Sequence, residues 1–382
     1  MRARQPLTFA LVFLLTVAAG CSSDLETPLA PAAPEAAAPD QRTSLEELVP
    51  VRRDFGGLIA DRAHWADGYV WASSPTTASY APVSAYAFNR LGNPITITKP
   101  AGTTGRYLVR FGGLSSFLGN RSTVHVTGYL GDNTYCKPAG PALVNNQVEV
   151  RCFRPGTGAA ADAYFTALVT RNYGDLAFAY ASQPTAASYA PPAAQSWNPG
   201  GAINVARGGV GTYLVTFTDL GTLTAGSGGH VQVSAVGTSS AHCKVLNWSG
   251  TPNLAVNVRC FSSAGAPIDS KFNVLFLLPA PRLAFVWAEQ PQTGSYSPQS
   301  RYRFNPSGGP VTITRIGLGS YTVAWLGADP QIIDGGDVQV TAYGTGNAQC
   351  KVERWGGDNV WVRCFGPTGA PMDSQFTALY GS

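Results

Sequence analysis

Charge is scarce in this chain. Only 13% of its 382 residues are Asp, Glu, Lys or Arg, about half the usual share. The shortage of Lys and Glu argues against a helical protein. There are 2 methionines and 4 histidines. The histidines (His64, His125, His230 and His242) offer no Ser–His–Asp or Cys–His spacing, and no glycine-rich loop sits between a strand and a helix. Acidic residues are few and scattered, so no paired carboxylates of glycosidase type stand out. The formal net charge is +4, and no basic run is long enough to suggest nucleic acid. No segment shows capped helical periodicity. What is abundant is turn and strand material: 43 Gly, 28 Pro, 16 Tyr and 17 Phe, with 45% hydrophobic residues. That balance predicts short strands, tight turns and a real core.

The N-terminus reads as an address. Arg2 and Arg4 give a basic start, and Leu7 to Ala18 form an apolar stretch too short to span a bilayer. Ala18-Ala19-Gly20-Cys21 resembles a lipobox, which makes Cys21 the lipid-attachment residue and residues 1–21 a lipoprotein signal peptide. Ser22 rather than Asp after the cysteine favours the outer membrane, if the host has one. Residues 22–66 form an Ala/Pro-rich tether, expected to be a disordered spacer. Within it Thr43 to Leu48 could open one helical turn.

Internal repeats decide the rest. Cys136-Lys137, Cys243-Lys244 and Cys350-Lys351 lie 107 residues apart in both steps. Each is followed by Val-Arg-Cys-Phe, with the second cysteines at Cys152, Cys260 and Cys364. Ser-Tyr pairs (Tyr80, Tyr189, Tyr296), asparagines (Asn89, Asn198, Asn305), Gly-x-Tyr (Tyr107, Tyr213, Tyr321) and Asp-x-x-Phe (Asp162, Asp269, Asp373) recur in the same order. Period-two alternation between glycines and prolines then predicts an all-β chain: three tandem antiparallel β-sandwiches, jelly-roll or immunoglobulin-like, of about 100 residues each. The expected boundaries are 67–172, 175–279 and 282–382. The links between them are short, which predicts a semi-rigid rod of three beads.

Seven cysteines divide into Cys21 and two per repeat, and export permits disulfides. If Trp355 faces Asn359, Cys350 faces Cys364 at a spacing a disulfide can bridge. Two cysteines per copy without a recurring histidine do not make a metal site, and no cofactor is expected. The same register sets Lys351 against Arg363, with Lys244–Arg259 and Lys137–Arg151 as counterparts. Directly opposed like charges should repel. Two readings follow. Asp162, Asp269 and Asp373 neutralise the pairs in a structural salt-bridge network, or the pairs hold an external anion such as a sugar acid or phosphate. The recurring Tyr and Asn read as packing and turn residues, or as sugar-stacking platforms. Trp71, Tyr180 and Trp287 read as an interchangeable aromatic core position.

Val-Gln-Val-Thr-Ala-Tyr-Gly (338–344), Cys-Lys-Val (350–352), Val-Arg-Cys-Phe (362–365) and Ala-Pro-Met-Asp-Ser-Gln-Phe (370–376) resemble an uncharacterised repeat module of secreted proteins and lipoproteins in high-GC bacteria. The resemblance covers residues 69–382 and implies no activity. The first copy departs most, with Pro138 in place of the valine after Cys-Lys. Phe-Asn-x-x-Gly-Gly followed by Gly-x-Tyr-x-Val is faintly similar to jelly rolls of the complement globular-head kind. The expected function is that of a membrane-anchored envelope lipoprotein, not an enzyme, that binds a glycan or cell surface or is structural. The alternative is a carbohydrate-active enzyme or its accessory protein.

Overall fold

The computed structural model describes residues 65–119, 121–172, 176–224, 227–328 and 335–382. The signal peptide, Cys21, the tether with its Thr43 to Leu48 turn, and His64 lie outside these residues. The described chain is nearly all β, as expected. A five-residue helix, Leu114–Leu118, is an addition that the sequence pattern does not announce.

Each third of the chain makes two facing antiparallel sheets. In the first, one sheet runs Ala87–Asn89, Gly68–Ala72, Tyr164–Arg171, Ser122–Tyr129. The other runs Ser79–Tyr80, Ile95–Thr98, Arg106–Phe111, Gln147–Phe153, Tyr135–Pro138. The same order recurs in the third, and in the second except that the edge strand is reduced to an isolated bridge between Phe178 and Trp197. Alternation fills the space between the sheets: in Thr212–Phe217, Tyr213, Val215 and Phe217 are buried and the residues between them are not. Three separate cores result, one per sandwich. Removal of apolar area from water in these cores is the main stabilising term.

The three sandwiches do not form a rod of beads. Leu168, Leu275 and Leu379, with Tyr69, Phe178 and Phe285, make a fourth core shared by all three. The strands Ser122–Tyr129, His230–Val236 and Asp337–Tyr343 are buried on both faces, which needs partners on both sides. Cross-repeat hydrogen bonds run in a cycle. Thr166 Oγ1 donates to Val338 O (2.7 Å), Asn273 Nδ2 to Val124 O (2.9 Å) and Thr377 Oγ1 to Val231 O (2.9 Å). A second layer repeats the cycle. Thr127 Oγ1 accepts from Val340 N, Ser234 Oγ from Val126 N and Thr341 Oγ1 from Val233 N, at 3.2–3.3 Å. The first repeat contacts the third directly, so the ring is closed, with threefold-like symmetry. The short links are compatible with a rod or a ring. The second face of the axial strands is polar, with His125, Gln232 and Gln339 among its buried residues. The ring covers it through these cross-repeat hydrogen bonds, while Leu168, Leu275 and Leu379 on the neighbouring strands supply the shared apolar contact.

The three disulfides are present, Cys136–Cys152, Cys243–Cys260 and Cys350–Cys364. In the third repeat Trp355 faces Val360, not Asn359, and a bulge between Val352 and Arg354 restores the alignment of Cys350 with Cys364. The second repeat has the matching bulge between Val245 and Asn247. One extra residue on a bulged strand changes register by one, so the cysteine pairing survives a misplaced turn.

Candidate functional site

The recurring Gly-x-Tyr and Asp-x-x-Phe motifs meet at one point in each sandwich. Gly105, Gly211 and Gly319 have φ near +60° (61°, 65° and 62°), and a Cβ there would run into the carbonyl of Cys152, Cys260 or Cys364. The glycine N–H donates to the Asp carboxylate at 2.8–3.0 Å. The single hydroxyl proton of each of Tyr107, Tyr213 and Tyr321 is shared between the same Asp and the carbonyl of Pro75, Pro184 or Pro291, both within 3.0–3.3 Å. Asp269 is held at about 2 by Arg207, helped by the Gly211 N–H and the Tyr213 hydroxyl and opposed by burial. Burial works to raise Asp373, and Arg315, the Gly319 N–H and Tyr321 outweigh it.

This geometry corrects one expectation. Asp162, Asp269 and Asp373 do not neutralise the Lys–Arg pairs. They pair with Lys99 (3.0 Å), Arg207 (2.9 Å) and Arg315 (2.9 Å). The Lys–Arg registers themselves are as expected: Lys137 against Arg151, Lys244 against Arg259, Lys351 against Arg363. The two members of each pair then part. Arg151 turns to Glu149 (2.6 Å), Arg363 to Glu353 (3.7 Å), and Arg259 to the carbonyl of Thr345 (2.7 Å). The lysines enter the seams between repeats and are at most 3% exposed. Lys137 Nζ donates to Ala241 O (3.1 Å). Lys351 Nζ pairs with Asp132 (2.5 Å). Lys244 Nζ has no hydrogen-bond partner among the described residues. Burial lowers Lys137 and Lys244 to about 7 and Lys351 to about 8, with Asp132 resisting the last shift. Sealed ammonium groups of this kind are out of reach of an external anion.

The other recurring residues are satisfied internally. Asn89 Nδ2 bonds Asn93 O and Gly112 O. Asn198 and Asn305 make the equivalent pairs. The hydroxyls of Tyr80, Tyr189 and Tyr296 accept from backbone N–H groups six residues upstream. Packing and turn roles account for both sets.

Trp71 and Trp287 are not sandwich-core residues. They stand at the seams. At the seam of third and first repeats, Trp355 packs edge-on against Trp71, Tyr86 and Tyr129, with centroids 5.3–6.2 Å apart. At the seam of second and third, Trp248 does the same with Trp287, Tyr302 and Tyr343. Trp355 and Trp248 each donate Nε1–H to a glycine carbonyl of their own repeat, Gly335 (3.0 Å) and Gly228 (2.7 Å). At both seams a short parallel bridge also fuses two sheets, Val352 with Tyr129 and Val245 with Tyr343.

The seam of first and second repeats lacks these parts. Tyr180 stands for the tryptophan, Gln195 ends the 3-10 turn, and Val236 ends the axial strand. The strand after Cys136 stops at Pro138, and residues 139–146 contain no aromatic. Gly237 N still bonds Pro138 O (3.0 Å), but proline has no N–H to return a bond, and the sheets stay separate. The position of Gly228 and Gly335 is filled by Arg121. A cleft of about 460 Å³ opens there, lined by Leu118, Gly119, Arg121, Asn172, Ala193 and Ala194. Sequence reasoning noticed Pro138 and Tyr180 as departures but had no way to see that they share one seam.

Other titratable groups lie along the axis. His125 and His230, fully buried, are lowered to about 3 by burial, and Asp337 is raised to about 7 by the same cause. No family model, curated protein or solved structure matches this chain.

Proposed function

We propose that this chain is an exported envelope lipoprotein, anchored through Cys21, whose folded part has a non-catalytic binding or structural role toward a glycan or cell surface. The observation that carries the reading is the division of the cysteines. Six are paired within the three sandwiches, which fits an oxidising compartment. The seventh follows an apolar leader at a lipobox-like site. No helix among the described residues is long and apolar enough to cross a membrane; acyl chains on Cys21 would attach the chain by burying their CH₂ groups in the bilayer. His125, His230 and Asp337 are at most 1% exposed and cannot meet a substrate, which favours binding over acid–base chemistry. Because the sandwiches share a core, the folded part would bind as one head rather than as three linked modules.

Two measurements test this. Metabolic palmitate labelling should mark the chain and fail in Cys21→Ser; an unlabelled wild type overturns the anchor. The full chain should bind saturably to a glycan array or to whole cells. Binding to neither overturns the surface-binding role.

A further inference from the structure

The closed and open seams use the same backbone positions, so their differences can be read one residue at a time. At the closed seams a glycine lets the neighbouring repeat approach. A Cβ on Gly228 would strike the Tyr302 ring, and one on Gly335 the Ala85 carbonyl. Gly228 N bonds Arg301 O (2.6 Å) and Gly336 N bonds Ala85 O (3.2 Å). Arg121 occupies that position at the open seam. Its guanidinium lies 6.0 Å from the centroid of the Trp197 ring across the seam. It is exposed and meets no carboxylate among the described residues. The neighbouring arginines differ: Arg90 and Arg171 both approach Asp67, at 3.7 and 3.8 Å. The small Ala193 and Ala194 form the far wall, where the third repeat has Ser300 and Arg301.

We propose that the open seam between the first and second repeats is a binding cleft for an acidic sugar unit, with Arg121 holding its carboxylate. This rests on the glycan-binding reading above and names its site. The cleft is within the size range of small-ligand sites, about 300–1,000 Å³. A guanidinium presents a planar fork that matches a carboxylate. Trp197 beneath it limits the directions it can take. The Asn172 amide offers a donor and an acceptor for hydroxyls, and Leu118 with the alanines receives the apolar face of the ring. The external-anion reading, one of the two weighed for the Lys–Arg pairs, is thereby moved to the seam between the first and second repeats.

The test is titration of the full chain with a uronic-acid oligosaccharide, its carboxyl-reduced neutral counterpart, and an N-acetylated dipeptide with a free terminal carboxylate. The uronate should bind saturably, and the neutral counterpart should not. Arg121→Gln and Ala194→Trp should each weaken binding by about tenfold or more, with melting temperatures unchanged. Arg121→Lys should recover part of the loss. No uronate binding, or binding that neither variant moves, overturns the proposal, as does tighter binding of the dipeptide. If neutral glycans bind and Arg121→Gln leaves them unaffected, the cleft is wrong and the glycan reading stands. If no glycan binds at all, both fail.

Discussion

Two seams of the ring are closed by a tryptophan, a glycine and three further aromatic rings, and of these the third keeps only one ring, Tyr180. The third nevertheless holds, through Pro138, Lys137 and the axial threonine and asparagine layer. Closure of the ring therefore comes from the axis, and the aromatic clusters add to it locally. The comparison separates what assembles the three repeats from what seals them.

Four experiments sharpen it. The largest effect should come from Trp248→Ala, which empties a closed seam and removes the bond to Gly228. A loss of about 3–5 kcal/mol is expected in urea unfolding. Mutation of Tyr180 at the open seam should cost far less, and equal losses would break the distinction. Next is Asp132→Asn, which leaves Lys351 buried without its counter-charge. The loss should be about 1–3 kcal/mol, relieved by a second change, Lys351→Met. Lys244→Met should instead stabilise, by about 1–2 kcal/mol at neutral pH, because that ammonium has no hydrogen-bond partner to lose among the described residues. The smallest effect is expected from Pro138→Val, a gain of at most about 1 kcal/mol from one returned backbone bond. A larger gain would mean that the open seam is strained.

The lysines also set a pH dependence. Their folded values, about 7 to 8, lie below the ordinary 10.5. Between those limits the unfolded chain binds more protons, so stability should rise with pH from neutrality toward about 10. Lys244→Met should flatten the rise. A wild-type urea midpoint that is constant over this window would refute the buried-lysine account. On the acid side His125, His230 and His242, lowered to about 3, 3 and 4 by burial, lose stability as pH falls below 6.5. Asp337 acts in the opposite sense, since its raised value of about 7 lets the folded state hold a proton that the unfolded chain releases. Three groups against one should leave a net loss.

Much of this molecule was legible locally. Strand alternation, the cysteine pairs and the Lys–Arg registers depend on neighbours within one hairpin, and a repeated pattern reports them three times over. Even the cysteine register came out right with the wrong turn, because the bulge before Trp355 compensates. The tyrosine, asparagine and glycine motifs were visible as recurring letters, but their partners were not. Asp373 finds Arg315 and Tyr321 more than fifty residues away, and no periodicity encodes such a distance.

The sequence by itself determined the fold of each sandwich, since apolar alternation and paired cysteines fix which face of a strand turns inward. It did not determine what covers the other face of the axial strands. Only the tertiary structure decided that the three sandwiches close on one another, that the lysines enter the seams, and that Arg121, Pro138 and Tyr180 share one of them. The physical reason is that this other face of the axial strands is polar, with His125, Gln232 and Gln339 on it: period-two alternation gives such a face the pattern of one turned to water, and it is buried through hydrogen bonds that form only once the repeats have met.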